Sequence, residues 1–147
     1  MNIKRYIPKR WKSFVFLSLF SCSSDLSDDA MPYVHFPDIV INLNLPQYNS
    51  LRTVGYQGIN GGVRGIIIHR ESPTTYHAVD RNCSYQPNNA CASVDIHSSG
   101  LYLIDPCCGS SFNFDGTPTG SPAWRSLQKY QTKLDGSILT ITDNIIQ

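Results

Sequence analysis

The sequence lacks most of the short signatures that tie a chain of this size to a chemistry. No Gly-x-Ser-x-Gly elbow is present and no cysteine has a histidine partner of a known protease type nearby, so hydrolase chemistry has no anchor. The five glycines from Gly55 to Gly65 are not followed by Gly-Lys-Ser/Thr or by a helical pattern, which reads as backbone turns and not as a phosphate cradle. There is no Cys-x-x-Cys, which argues against a thiol-disulfide exchange enzyme of the usual kind. His35, His69, His77 and His97 show none of the close pairings of a zinc-binding helix and read as ordinary half-exposed residues. No run of roughly 20 apolar residues occurs, which argues against a permanent transmembrane helix.

The N-terminus is informative. Lys4, Arg5, Lys9, Arg10 and Lys12 lead into the apolar run Phe14-Val15-Phe16-Leu17-Ser18-Leu19-Phe20, the order of a secretion signal. Leu19-Phe20-Ser21-Cys22 resembles a bacterial lipobox, which implies that the Cys22 thiol takes a diacylglyceryl group and that the bond before it is cut. Two acyl chains hold a protein to a bilayer far better than one. The acidic stretch that follows, with Asp25, Asp28 and Asp29, resembles the surface-export signals of lipoproteins in the Bacteroidetes, and it also has the composition of a solvated tether. The expected organisation is a lipoprotein signal peptide at 1–21, a tether at 22–37 and one folded domain at 38–147. The expected location is the cell envelope, on the outer membrane or cell surface of a Gram-negative bacterium.

Removing the leader's five cationic residues from the net charge of +1 leaves −4, which argues against nucleic acid as a partner. The residues that remain allow one modest core. They carry no long helical periodicity, and short apolar or alternating runs recur between turn residues instead, an all-β pattern. Strands are predicted at 39–45, stopped by Pro46, at 56–63 with a turn at Gly61-Gly62, at 65–70 and at 76–80 after Ser72-Pro73. Further strands are predicted at 92–97 and 101–104 around Ser98-Ser99-Gly100, and at 127–133 and 137–142 around Asp135-Gly136, a strong hairpin signal.

Setting Cys22 aside, Cys83, Cys91, Cys107 and Cys108 form an even set in a compartment that permits disulfides. They lie in the most distinctive part of the chain. Arg81-Asn82-Cys83-Ser84-Tyr85 resembles the first cluster-binding box of Rieske iron-sulfur domains. Asp105-Pro106-Cys107-Cys108-Gly109-Ser110-Ser111-Phe112, followed by Gly116-Thr-Pro118-Thr-Gly120-Ser121-Pro122-Ala123 and Leu127, resembles the second box and the proline loop. The resemblance implies a small antiparallel β domain of hairpins, with two cysteine-bearing loops at one end and the proline loop over them.

Membership would imply a [2Fe-2S] centre with two cysteine and two histidine ligands. The positions that match those ligands are Cys83, Tyr85, Asp105 and Cys108, and only Cys83 is of the matching type. Tyrosine titrates near 10 and aspartate is a hard oxygen donor, so the resemblance does not extend to a standard centre. It implies a direct Cys83–Cys108 disulfide between the facing loop tips, and a second bridge from Cys107, at the family's loop-to-loop position, to Cys91. An atypical cluster on these thiolates with Asp105 is the competing reading. Zinc on the same cysteines is disfavoured, because vicinal Cys107 and Cys108 are strained ligands for one ion. The aromatics of these loops, Tyr85, Phe112, Phe114 and Trp124, read as packing residues. The functional expectation is a membrane-anchored, non-enzymatic structural or partner-binding module with no cofactor and an unnamed protein partner. The alternative is an electron carrier with an atypical [2Fe-2S] cluster, serving an oxidoreductase system.

Overall fold

The computed structural model describes residues 29–53 and 55–146, so the signal segment and Cys22 lie outside the described residues. The chain is nearly all β, as expected. Ten strands are described: β1 (Ile39–Asn42), β2 (Tyr56–Ile59), β3 (Ile66–Arg70), β4 (Tyr76–Asp80), β5 (Asp95–Ile96), β6 (Leu103–Ile104), β7 (Ser111–Phe112), β8 (Pro118–Gly120), β9 (Lys129–Asp135) and β10 (Ile138–Ile146). Every pairing is antiparallel. A six-stranded sheet runs β1-β10-β9-β4-β3-β2, and a four-stranded sheet runs β5-β6-β7-β8. Among the described residues no helix is long and apolar enough to cross a membrane.

The three consecutive isoleucines of β3 explain how the sheets are held. Side chains alternate along a strand. Ile66 and Ile68 therefore enter one core, with Ile41, Leu51, Tyr76, Ala78, Tyr130, Leu139 and Ile141. Ile67 points the other way, and with Val79 of β4 it joins Cys83, Val94, Leu103, Phe112 and Leu127 under the small sheet. A strand buried on both faces needs an unbroken apolar run. Hence the second core, which carries the cysteine loops, rests on the back of the large sheet.

The turns follow the glycines where geometry demands them. Gly62 has a φ of 60°, and a Cβ there would lie 2.1 Å from Asp80 Oδ2. Gly136 closes the β9–β10 hairpin at a φ of 58°. Several predicted boundaries move. β2 ends at Ile59 rather than 63, β5 and β6 shrink to two residues each, and β10 runs on to Ile146. β1 ends at Asn42, in a turn short of Pro46, and Pro46 instead opens a 3₁₀ helix at Pro46–Arg52, which the sequence pattern did not indicate. Proline at a helix start loses no hydrogen bond there.

The last part of the stretch read as a tether lies against the domain. Phe36 is buried edge-on to Tyr130, with ring centroids 5.0 Å apart. Tyr33 Oη donates to Asp143 at 2.7 Å, and His35 contacts the same carboxylate.

Candidate functional site

Three loops meet at one end of the small sheet: residues 81–94 after β4, residues 105–110 between β6 and β7, and residues 121–128 before β9. The first is held by two buried or part-buried polar hubs. Asp80 is fully buried, and its carboxylate accepts from the N–H groups of Val63 (2.6 Å), Arg64 (3.3 Å) and Asn82 (2.7 Å) and from Tyr130 Oη (2.7 Å). Four donors offset the cost of burying the charge. Burial, then the bond to Asp80, pushes the Tyr130 hydroxyl well above the usual phenol range. The Arg64 guanidinium donates to Asn82 Oδ1 (2.6 Å), to the Asn89 carbonyl (2.6 Å) and to the Ala90 carbonyl (2.7 Å), which pins the far side of the loop. An Asn82–Ser93 bridge and the Cys83 N–H to Ala92 carbonyl bond (3.2 Å) close it.

The second loop is wound on Asp105. The Gly109 N–H donates to the Asp105 carbonyl (2.8 Å), and Gly109 takes a φ of 81°. The Cys107 N–H donates to Asp105 Oδ1 (2.7 Å), which leaves Oδ2 to face Cys108 Sγ at 3.3 Å. Ser110 Oγ accepts from the Ala123 N–H of the proline loop (2.9 Å), so its own proton is free for Cys108 Sγ at 3.0 Å. Arg125 ties the proline loop to the first loop, donating to the Ser84 carbonyl (2.9 Å) while Ser84 Oγ donates to the Arg125 carbonyl (2.5 Å).

Of the two expected bridges, Cys91–Cys107 is present, with its Cα atoms 5.7 Å apart, inside the normal range for a disulfide. It ties the first loop to the second. The direct Cys83–Cys108 bridge is not formed: the two sulfurs are thiols facing each other at 4.0 Å. The physical reason lies in the neighbours of Cys108, whose sulfur is held by the Asp105 carboxylate and the Ser110 hydroxyl. Burial, then a hydrogen bond to Asp105, pushes the Cys83 thiol far above its usual range, against the opposing pull of the Tyr85 backbone.

The ligand-type atoms of Cys83, Asp105 and Cys108 all lie within 4.8 Å of one another, with Cys83 and Asp105 buried and Cys108 half-buried. No other group of histidine, cysteine and carboxylate residues gathers in this way among the described residues, and no histidine joins this one. Tyr85 packs partly buried against the second core, with Gln86 Nε2 at 3.5 Å from its hydroxyl. His69 and His77 stack on the large sheet, and His97 stacks on Tyr102. Phe112 is buried as expected, whereas Trp124 is 65% exposed and carries Arg125 over its ring at 5.1 Å. Sequence reasoning placed the three donors but missed Ser110, Asp80 and Arg64 as the residues that hold them. Ser110 was visible within the second box; the other two act across the fold and left no local signal.

A [2Fe-2S] centre of the Rieske type needs two thiolates for one iron and two imidazoles for the other. The site offers two thiols and a carboxylate, so the residues present do not fit that group.

No family model matches the sequence, and no curated protein matches it. Among solved structures, the cyanobacterial plasma membrane Rieske protein PetC3 from Synechocystis PCC 6803 is similar over 65% of this chain and 94% of its own, at 22% identity and a TM-score of 0.53. The ferredoxin of carbazole 1,9a-dioxygenase from Nocardioides aromaticivorans IC177 aligns over 75% of this chain and 96% of its own, at 16% identity and a TM-score of 0.47. A complex of reduced oxygenase and oxidized ferredoxin in carbazole 1,9a-dioxygenase contains a chain aligned over 63% of this one and 83% of its own, at 15% identity and a TM-score of 0.46. The likeness to PetC3 shows the fold: the chain carries a Rieske-like domain.

Proposed function

We propose that this chain is a lipoprotein of the Gram-negative cell envelope, anchored through Cys22, whose Rieske-like domain is a non-enzymatic structural or partner-binding module without a standard [2Fe-2S] centre. One observation carries this reading: no histidine stands with Cys83, Asp105 and Cys108. The Cys91–Cys107 disulfide holds the two loops together with no cluster needed to bridge them. Trp124, exposed beside these loops under Arg125, offers an aromatic and cationic face of the kind enriched at protein contacts.

The second reading, an electron carrier with an atypical cluster, draws on the nearness of the same three donors. The visible spectrum of the full chain, purified anaerobically, separates the two. The module reading expects no sulfide-to-iron charge-transfer absorption, and bands that bleach on reduction would overturn it.

A further inference from the structure

We propose that Cys83, Cys108 and Asp105 form a mononuclear site for a zinc-type divalent ion, with two thiolates and one carboxylate from the protein and a fourth position open on the Cys108 side. This rests on the reading that the domain holds no standard [2Fe-2S] centre.

Ligand spacing is the first argument. Zinc sits about 2.3 Å from thiolate sulfur and about 2.0–2.2 Å from carboxylate oxygen, so tetrahedral angles place two sulfurs about 3.8 Å apart and a sulfur about 3.5 Å from the oxygen. The two sulfurs are 4.0 Å apart, and Cys108 Sγ is 3.3 Å from Asp105 Oδ2. Two of the three separations therefore match a tetrahedral ion to within a few tenths of an ångström, and the third, between Cys83 Sγ and the Asp105 carboxylate, lies within 4.8 Å.

The surroundings are the second argument. Metal ligands are held by outer hydrogen bonds that orient them. Here Oδ1 of Asp105 is fixed by the Cys107 N–H, which aims Oδ2 at the sulfurs. Ser110 Oγ, fixed by the Ala123 N–H, turns its proton to Cys108 Sγ. Cys108 Sγ thus has a donor suited to a thiolate, and the carboxylate has one oxygen left for the ion.

Charge is the third. Asp105 is fully buried, and among the described residues the Cys107 N–H is the one donor besides the thiols that is aimed at its carboxylate. A dication answers the burial cost of that carboxylate directly. As it binds, each thiol gives its proton to solvent and each sulfur binds as thiolate. The strain of a vicinal cysteine pair on one ion does not arise, because Cys107 is committed to Cys91 and only Cys108 turns inward.

Cobalt(II) is the probe. The full chain, purified anaerobically without added reductant, is titrated with Co²⁺ and then Zn²⁺, with alkylation mass spectrometry reporting thiols. We expect one Co²⁺ per chain, thiolate-to-cobalt charge transfer with the visible bands of a tetrahedral ion, and full displacement by Zn²⁺. Cys108→Ser should lose roughly half the charge-transfer intensity, one of two thiolates having gone. Ser110→Ala should weaken Zn²⁺ binding about 10- to 100-fold. Near-ultraviolet circular dichroism identifies any variant that misfolds, and Asp105→Asn, which keeps the acceptor for the Cys107 N–H, gives a second test with the same expected weakening.

Failure of wild type to bind Co²⁺, wild-type binding by Cys108→Ser, or a Cys83–Cys108 disulfide in the anaerobic chain would each overturn the site and leave the module reading standing. Stoichiometric iron with acid-labile sulfide would instead overturn the module reading, and the site with it.

Discussion

Cys83 Sγ and Cys108 Sγ face each other at 4.0 Å across two loops that a neighbouring disulfide, Cys91–Cys107, already joins. The covalent tie and the facing thiols have separate roles. The disulfide sets the distance between the loops, and the thiols with Asp105 form what the loops enclose.

The tie should matter to stability. Cys91 and Cys107 are 16 residues apart. Closing a loop of that size removes denatured-state entropy worth about 3 kcal/mol. The double variant Cys91→Ser/Cys107→Ser should lose about that much in urea unfolding, with little change in far-ultraviolet circular dichroism. An unchanged midpoint would mean that the polar contacts alone hold the loops.

The Asp80 hub should matter as much. Tyr130→Phe removes one hydrogen bond to a buried carboxylate and should cost about 2 kcal/mol. Asp80→Ala strands several buried donors and should cost roughly 3–5 kcal/mol. Because the two residues share one contact, the double variant should cost less than the sum, as measured by a thermodynamic cycle.

His69 makes stability depend on pH. Its Nδ1 is buried without a hydrogen-bond partner among the described residues, its ring stacks on Phe114 with centroids 4.2 Å apart, and burial followed by the charge of His77 lowers its pKa from the ordinary 6.5, with Glu71 opposing. A base with a depressed folded pKa binds protons less readily when folded, so its contribution is present above pH 6.5 and is lost as pH falls through the folded value. His69→Phe should flatten the thermal stability profile in that acidic window. A profile that keeps the wild-type slope would assign the dependence to other groups.

If the fold is intact and only the ligands are missing, supplying them should supply the cluster. Tyr85→His, Asp105→Cys and Cys108→His together restore the two boxes that the sequence resembles. After reconstitution with iron and sulfide, the triple variant should gain two irons per chain and a Rieske-type spectrum. Absence of any cluster would locate a further obstacle in the loops.

Much of the domain was legible in the sequence, for physical reasons that differ by element. Ile66-Ile67-Ile68 announced a core strand, and Asp135-Gly136 and Gly61-Gly62 announced turns through their backbone freedom. The Cys91–Cys107 pairing followed from the resemblance of the two boxes. Strands β5 to β8 are two or three residues long, too short to show a period. The Asp80–Tyr130 contact joins residues 50 apart and has no local pattern. Facing cysteines suggested a second bond, whereas the positions of Asp105 and Ser110 around Cys108 emerge only once the loop is wound.

The anchor has its own test. Under the proposed lipidation, Cys22→Ala should abolish labelling of the chain by radioactive fatty acid and leave the expected signal segment uncut, as read by gel mobility and N-terminal mass. Labelling that persists would place the lipid elsewhere.

The central claim is tested most directly by the iron and acid-labile sulfide content of the full chain isolated anaerobically from the cells that make it. The account predicts only traces of both, with Cys91–Cys107 oxidised; two irons and two sulfides per chain would contradict it.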